Sequence, residues 1–228
     1  MAEIIKINEN SWRIEDGGVR FFLLTGSEKA LLIDSGMSVH NAQDMARELT
    51  DLPVELLNTH SDMDHIGSNA QFEAFYMHPA DEPAYRRQGG KGTVLPAVDG
   101  DRLELGDRPL EIIALPGHTP GSIAVLDVKG RVLISGDPIQ DGNIFMFGPG
   151  RDMPGYIASL ERLEEKTGLF DELWPSHGSF PVKPPIIGQL IRGAKAVLAG
   201  ELAGEKSEVH GRTFVRYDAG CAAFLCDS

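Results

Sequence analysis

The sequence predicts an α/β fold in which two β-sheets pack together with helices outside. Two observations carry that expectation. Short apolar, β-prone runs come in blocks in both halves of the chain, and helical stretches follow each block. The chain is also long enough, at 228 residues with 42% hydrophobic and 24% charged, to build one large core. No repeat, low-complexity stretch or linker breaks it, so residues 1–228 read as a single domain.

In chain order, Glu3 to Ile7, Trp12 to Ile14, Val19 to Leu24 and Ala30 to Ile33 are β-like runs separated by Asn or Gly. Ser38 can cap a helix through about Leu49, because Ala42, Met45, Ala46 and Leu49 share one face. Val54 to Leu57 is the next strand. Ser68 to Ala74 reads as helical and Phe75 to Met77 as a short strand. Arg86 to Gly92 is a Gly-rich charged loop, either a flap or a solvated turn. Leu110 to Leu115, Ser122 to Leu126 and Val132 to Ile134 are strand-like. Pro154 to Lys166 is an amphipathic helix, Glu172 to Trp174 a strand, Pro185 to Leu202 a second long helix, and Thr213 to Tyr217 and Ala222 to Leu225 are strands.

The charge balance narrows the partners. A net charge of −13 argues against nucleic acid or an anionic membrane surface, because both need a basic face, although a local basic pocket is compatible with it. No stretch approaches the roughly 18 uncharged apolar residues of a membrane span. The start MAEIIKINEN lacks the basic and long apolar parts of a signal peptide, so a cytoplasmic protein with a small-molecule substrate is expected. Cys221 and Cys226 lack zinc spacing; on one strand they would face opposite ways, and they read as small reduced residues.

The chemistry concentrates at strand ends. Of the seven histidines, His60 and His65 follow Val54 to Leu57, His118 follows Ile112 to Leu115 through Pro116 and Gly117, and His177 follows Leu173 and Trp174 through Pro175 and Ser176. Asp137 follows Val132 to Ile134 in the same manner, and Asp62 and Asp64 lie between the first two histidines. Rigid strands can bring such residues to one sheet edge. Imidazole with carboxylate suits zinc, iron or manganese. His40, His78 and His210 lack this context, although His78 also follows a short strand.

The segments THSDMDHIG, LPGHTPGS, LISGD and WPSHG resemble, in order and spacing, the metal-binding motifs of the metallo-β-lactamase superfamily. Leu31 to Gly36 resembles that family's early strand ending in a structural aspartate, here Asp34. The resemblance implies an αββα sandwich of two mixed sheets with a binuclear site at one sheet edge. It implies a first metal on His60, position 62 and His118, a second on Asp64, His65 and His177, and Asp137 bridging them. Two divalent ions are implied, zinc first, with iron or manganese as alternatives. The implied activity is hydrolysis of an ester, thioester, lactone, amide or phosphoester by a water or hydroxide between the metals, with Asp64 as both ligand and proton acceptor.

Position 62 departs from the family pattern, which has histidine there. With Asp62, Asp64 and Asp137 at about −3 against about +3 for two divalent ions and a hydroxide, the centre is expected to be near neutral. The harder donor favours iron or manganese relative to zinc; alternatively Asp62 merely weakens the first metal. The flavin-linked di-iron branch of the family also carries an acid there, but residues 1–228 read as one domain without the flavodoxin-like one of that branch, which argues against that function. Persulfide dioxygenases hold one iron through two histidines and an aspartate, which His60, His118 and Asp137 match. A non-haem iron oxidoreductase is therefore the alternative, and a degenerate binding protein the third. Phe145, Met146 and Phe147 are read as a loop walling the metals, with Arg151 as an anion contact, or as an edge strand. Met63 is placed toward substrate.

Overall fold

The computed structural model describes residues 2–209 and 212–228. His210 lies outside them. The elements run β1 (Glu3–Asn8), β2 (Ser11–Asp16), β3 (Val19–Thr25), β4 (Ala30–Ile33), α1 (Ala42–Leu49), β5 (Val54–Leu57), β6 (Ala74–Met77), α2 (Glu82–Arg87), β7 (Thr93–Pro96), β8 (Arg102–Glu104) and β9 (Pro109–Ala114). They continue with β10 (Ile123–Asp127), β11 (Val132–Gly136), β12 (Asn143–Met146), α3 (Met153–Glu164), β13 (Glu172–Pro175), α4 (Ile186–Leu198), β14 (Gly204–Val209), β15 (Arg212–Asp218) and β16 (Ala223–Asp227).

The first sheet has the order β1-β2-β3-β4-β5-β6-β7, antiparallel up to β4 and parallel from there. The second has the order β13-β11-β10-β9-β8 and is antiparallel except for the β11–β13 pair. The expected αββα sandwich is what the chain forms. Phe22, Leu24, Ile33 and Leu57 of the first sheet meet Ile112, Val125, Ile134 and Trp174 of the second in one buried layer. On its other face the first sheet packs Leu23, Leu32 and Leu56 against Ala42 and Ala46 of α1 and Tyr85 of α2. The second sheet's outer face meets Tyr156, Leu160 and Leu163 of α3 and Ile187 and Leu190 of α4. Strands covered on both faces are mostly apolar, and β3, β4, β10 and β11 are buried at every position. Each fully buried Leu, Ile or Phe there contributes about 1.5–3 kcal/mol.

Several expectations change in detail. Ser68 to Ala74 is not a helix: Asn69–Gln71 forms one 3-10 turn, and Ala74 already belongs to β6. That turn is used to start α1. Ser68 Oγ and Gln71 Oε1 accept from the N–H groups of Ala42 and Gln43, the work expected of Ser38, whose own N–H goes to Asp16. Arg86 and Arg87 close α2 rather than lying in the following loop. Beyond the two sheets there is a third of four strands, β12-β16-β15-β14. Its β12 and β16 contribute Ile144, Met146 and Phe224 to the core under α3 and α4. The two cysteines are free, Cys226 on β16 and Cys221 in the turn before it.

Candidate metal centre

The turns after β5, β9, β11 and β13 meet at one edge of the sandwich. Register makes this so: β11 and β13 run parallel with Gly136 opposite Pro175, so Asp137 and His177 leave the sheet side by side. The Ile123 N–H donates to the Thr59 carbonyl at 2.9 Å and ties the second sheet to the turn that carries His60. Asp81 adds a second tie, its buried carboxylate accepting from Ser61 N–H at 2.8 Å and Gly121 N–H at 2.7 Å. Gly117 (φ +137°) must be glycine, because a Cβ there would strike the backbone of Tyr156 at the start of α3.

All seven expected site residues come together, in two groups. In the first, His118 Nε2 lies 3.3 Å from His60 Nε2 and 3.3 Å from Asp62 Oδ2, and His60 Nε2 lies 3.6 Å from the same oxygen. In the second, Asp64 Oδ2 is 3.1 Å from His177 Nε2 and 3.7 Å from His65 Nε2. Asp137 faces both groups. Its Oδ1 is 3.2 Å from His65 and 3.3 Å from His177, and its Oδ2 is 3.6 Å from His118 and 4.0 Å from His60.

These donors fit divalent ions. Ligand atoms about 2.0–2.2 Å from one tetrahedral ion sit about 3.3–3.6 Å from each other. His65 Nε2 and Asp137 Oδ1 are buried, face one another and have no hydrogen-bond partner, which is costly unless a cation lies between them. Every imidazole also has its other nitrogen engaged. His65 Nδ1 meets Asp34 Oδ2 at 2.8 Å, His118 Nδ1 the Phe145 carbonyl at 2.9 Å, and His177 Nδ1 the Gly18 carbonyl at 2.7 Å. His60 Nδ1 meets Thr59 Oγ1 at 3.0 Å, and that hydroxyl donates its own proton to Asp34 Oδ2 at 2.7 Å. Carbonyls and carboxylates only accept, so each Nδ1 donates and each Nε2 can offer a lone pair inward.

Electrostatics without an ion reflect the crowding. Burial pushes the carboxyls of Asp62 and Asp137 up, but the facing imidazoles outweigh it and hold both well below the usual carboxylate range. Asp64 is lowered in the same way. Burial pushes the His65 ring down, yet Asp137, Asp34 and Asp64 raise it well above the ordinary histidine value. His177, likewise pressed down by burial, is held at about 10 by Asp137 and Asp64.

Three residues that the motifs did not single out shape the centre. Arg20 is buried, and its guanidinium donates to the carbonyls of Pro175, His177, Gly178 and Ser179, clamping the turn that carries His177. Asp81 is the tie described above. Arg151 was expected to meet an anionic ligand; instead its Nη2 donates to Asp62 Oδ2 at 2.6 Å and its Nη1 to the His118 carbonyl. Phe145 and Met146 lie on β12, the edge of the third sheet, so the strand reading holds; Phe147 stacks on Phe214 at 5.4 Å. A cleft of about 340 Å³ opens beside Asp62, lined by Arg87, Gln88, Thr119, Phe147, Pro149 and Arg151. Met63 is 73% exposed. His40 and His78 stand apart, the first near the Gly67 carbonyl and the second accepting the Ala80 N–H.

A sandwich with such an edge defines a class, and sequence comparison gives it a name: the chain belongs to the metallo-beta-lactamase superfamily, whose family model matches residues 14–173. It is 28% identical over 196 residues to the acyl-coenzyme A thioesterase MBLAC2 of Gallus gallus, covering 68% of this chain and 71% of that one. It is 33% identical over 132 residues to a hydroxyacylglutathione hydrolase of Synechocystis, covering 54% of this chain and 50% of that one. In fold it is similar to a metallo-beta-lactamase from Pontibacter korlensis, with a TM-score of 0.72 at 20% identity, over 86% of this chain and 99% of that one.

Proposed function

We propose that this protein is a binuclear metal-dependent hydrolase of thioesters. The observation that carries the reading is the gathering of seven donors in two groups, with one Asp137 oxygen facing each. His60, Asp62 and His118 would hold one ion; Asp64, His65 and His177 the other; Asp137 would bridge. Ions held there would supply an activated water and polarise the scissile carbonyl. Asp64 is suited to take the water's proton, because its carboxylate is 26% exposed where that of Asp137 is 4%. The water oxygen bonds to the acyl carbon, the C–S bond breaks, and the sulfur leaves as thiolate.

Two considerations favour a thioester. The carboxyls of Asp62 and Asp137 are held well below the usual range and Asp64 becomes an acid only by taking the water's proton, so a leaving group that departs without protonation suits the site. A thiolate, with a pKa of about 8.5, leaves without that help, whereas an amine does not. Two of the similar proteins also carry names that specify thioester hydrolysis, of acyl-coenzyme A and of hydroxyacylglutathione. The cleft beside Asp62 is the place we assign to the substrate.

The test pairs elemental analysis of protein purified without chelator with thiol release from acyl-coenzyme A and acyl-glutathione thioesters, alongside oxygen-ester and amide counterparts. Two equivalents of metal and thiol release that a chelator abolishes are expected. Metal-loaded protein that cleaves esters or amides but no thioester would overturn the substrate class, and one equivalent after loading would overturn the two-ion site. The adjacent His60, His118 and Asp137 favour one alternative, an iron-dependent oxygenase, since two histidines and a carboxylate are the donor set of such sites. Iron with oxygen consumption in place of hydrolysis would decide for it.

A further inference from the structure

Asp62 stands where the family motif has histidine, and the structure gives that carboxylate a cationic partner from a distant part of the chain. Arg151 reaches it from the segment between β12 and α3, at 2.6 Å, while its other terminal nitrogen holds the carbonyl of His118. One guanidinium thus grips two of the three groups in the first cluster. Only 13% of the Arg151 side chain is exposed, and the segment is pinned on both sides, by Gly148 N–H on the Asp227 carboxylate and by Asp152 N–H on the Gly117 carbonyl at 2.8 Å. The oxygen that Arg151 contacts is Oδ2, the same one that faces His60 and His118.

The charges explain what this achieves. A histidine ligand is neutral, and an aspartate subtracts one unit from a centre that already holds Asp64 and Asp137. Adding the guanidinium restores that unit. We propose that Arg151 is a positioning residue for the first metal site, and that Asp62 and Arg151 act as one neutral unit in place of the family's histidine. The site then keeps the charge of a three-histidine arrangement while offering an oxygen donor whose direction the guanidinium fixes. The proposal rests on His60, Asp62 and His118 being metal ligands, and is independent of the substrate.

Such a unit can be exchanged only as a whole. Asp62→His alone restores the family motif but leaves a tethered, mostly buried guanidinium facing a dication with no carboxylate between them. Asp62→His combined with Arg151→Met removes both members.

Zinc titration against a competing chelator, on the parent, Asp62→His, Arg151→Met and the double variant, reads this without reference to turnover, and melting temperatures taken alongside report folding. Asp62→His should weaken the first zinc at least about tenfold, and the double variant should return to within about threefold of the parent, a coupling expected only of residues that act together. Asp62→His binding zinc as tightly as the parent, or a double variant weaker than either single one, would overturn the proposal while leaving the two-metal reading in place. A parent that takes up only one zinc would overturn both.

Discussion

Asp34 shows how much one residue organises. It sits at φ +65°, a backbone conformation that aspartate tolerates better than most residues, directly after β4. Its carboxylate accepts from Thr59 N–H, Thr59 Oγ1 and His65 Nδ1, so it orients His65 directly and His60 through the Thr59 hydroxyl. Asp64 does different work. If it accepts the proton of the attacking water, Asp64→Asn should lower kcat by about 10²–10⁴ with KM little changed, provided that metal analysis shows both ions retained; turnover near the parent's would remove the role. His177 gives a prediction in pH. Without metal, its pKa is raised from the ordinary 6.5 to about 10 by Asp137 and Asp64. A raised folded-state value stabilises fully below the unfolded value and ceases to do so as pH climbs through the folded one. Chelator-treated protein should therefore lose melting temperature between pH 6.5 and about 10, while in metal-loaded protein an ion on His177 would already hold the ring deprotonated, so no such loss should come through this group. Parallel curves for the two forms across that window would contradict the assignment.

Among the elements, legibility followed burial. β3, β4, β10 and β11 lie under cover on both faces, are apolar at most positions, and stand out in the sequence for that reason. β7 and β8 are short sheet edges with exposed or half-buried residues, and β14 reads GEKSEV, so hydrogen bonding to a neighbour defines them rather than any apolar pattern. α2, six residues long with a proline near its start, has too few turns to show a period. The seven candidate ligands were legible because each follows a recognisable strand end. Their supports were not, since Arg20 acts on residues 155 to 159 positions away and Arg151 on one 89 away. No local pattern carries such a pairing. The Arg20 clamp holds four carbonyls of the His177 turn, so Arg20→Met should weaken the second metal more than the first by about tenfold or more, as losses of supporting contacts around ligands do. Stepwise chelator titration resolves the two ions, and an equal loss at both would point to general destabilisation.

At the scale of the whole molecule, polar contacts join the two sheets both near the candidate centre and well away from it. Near the candidate centre they are tied by Ile123 to Thr59 and by Asp81. Elsewhere Arg108, next to β9, pairs with buried Asp127 of β10 at 2.7 Å and donates to Asn10, Ser11 and Thr25 of the first sheet's side. Removing one member of a buried pair strands the other, so Arg108→Met should cost about 3–5 kcal/mol in urea denaturation without changing metal stoichiometry. A loss under about 1 kcal/mol would mean that water reaches Asp127 freely. The third sheet has an effect in time rather than in space. The carbonyl that fixes His118 belongs to Phe145 on β12, and β12 is an edge strand whose neighbour is β16, with Phe145 opposite Leu225. A ribosome therefore delivers all seven donors well before it delivers the strand that steadies one of them. Until residues 223–227 emerge and dock, a nascent chain carries its candidate donors on a frame that lacks one of its supports, and any metal taken up earlier would meet a His118 ring that the Phe145 carbonyl does not yet hold in place.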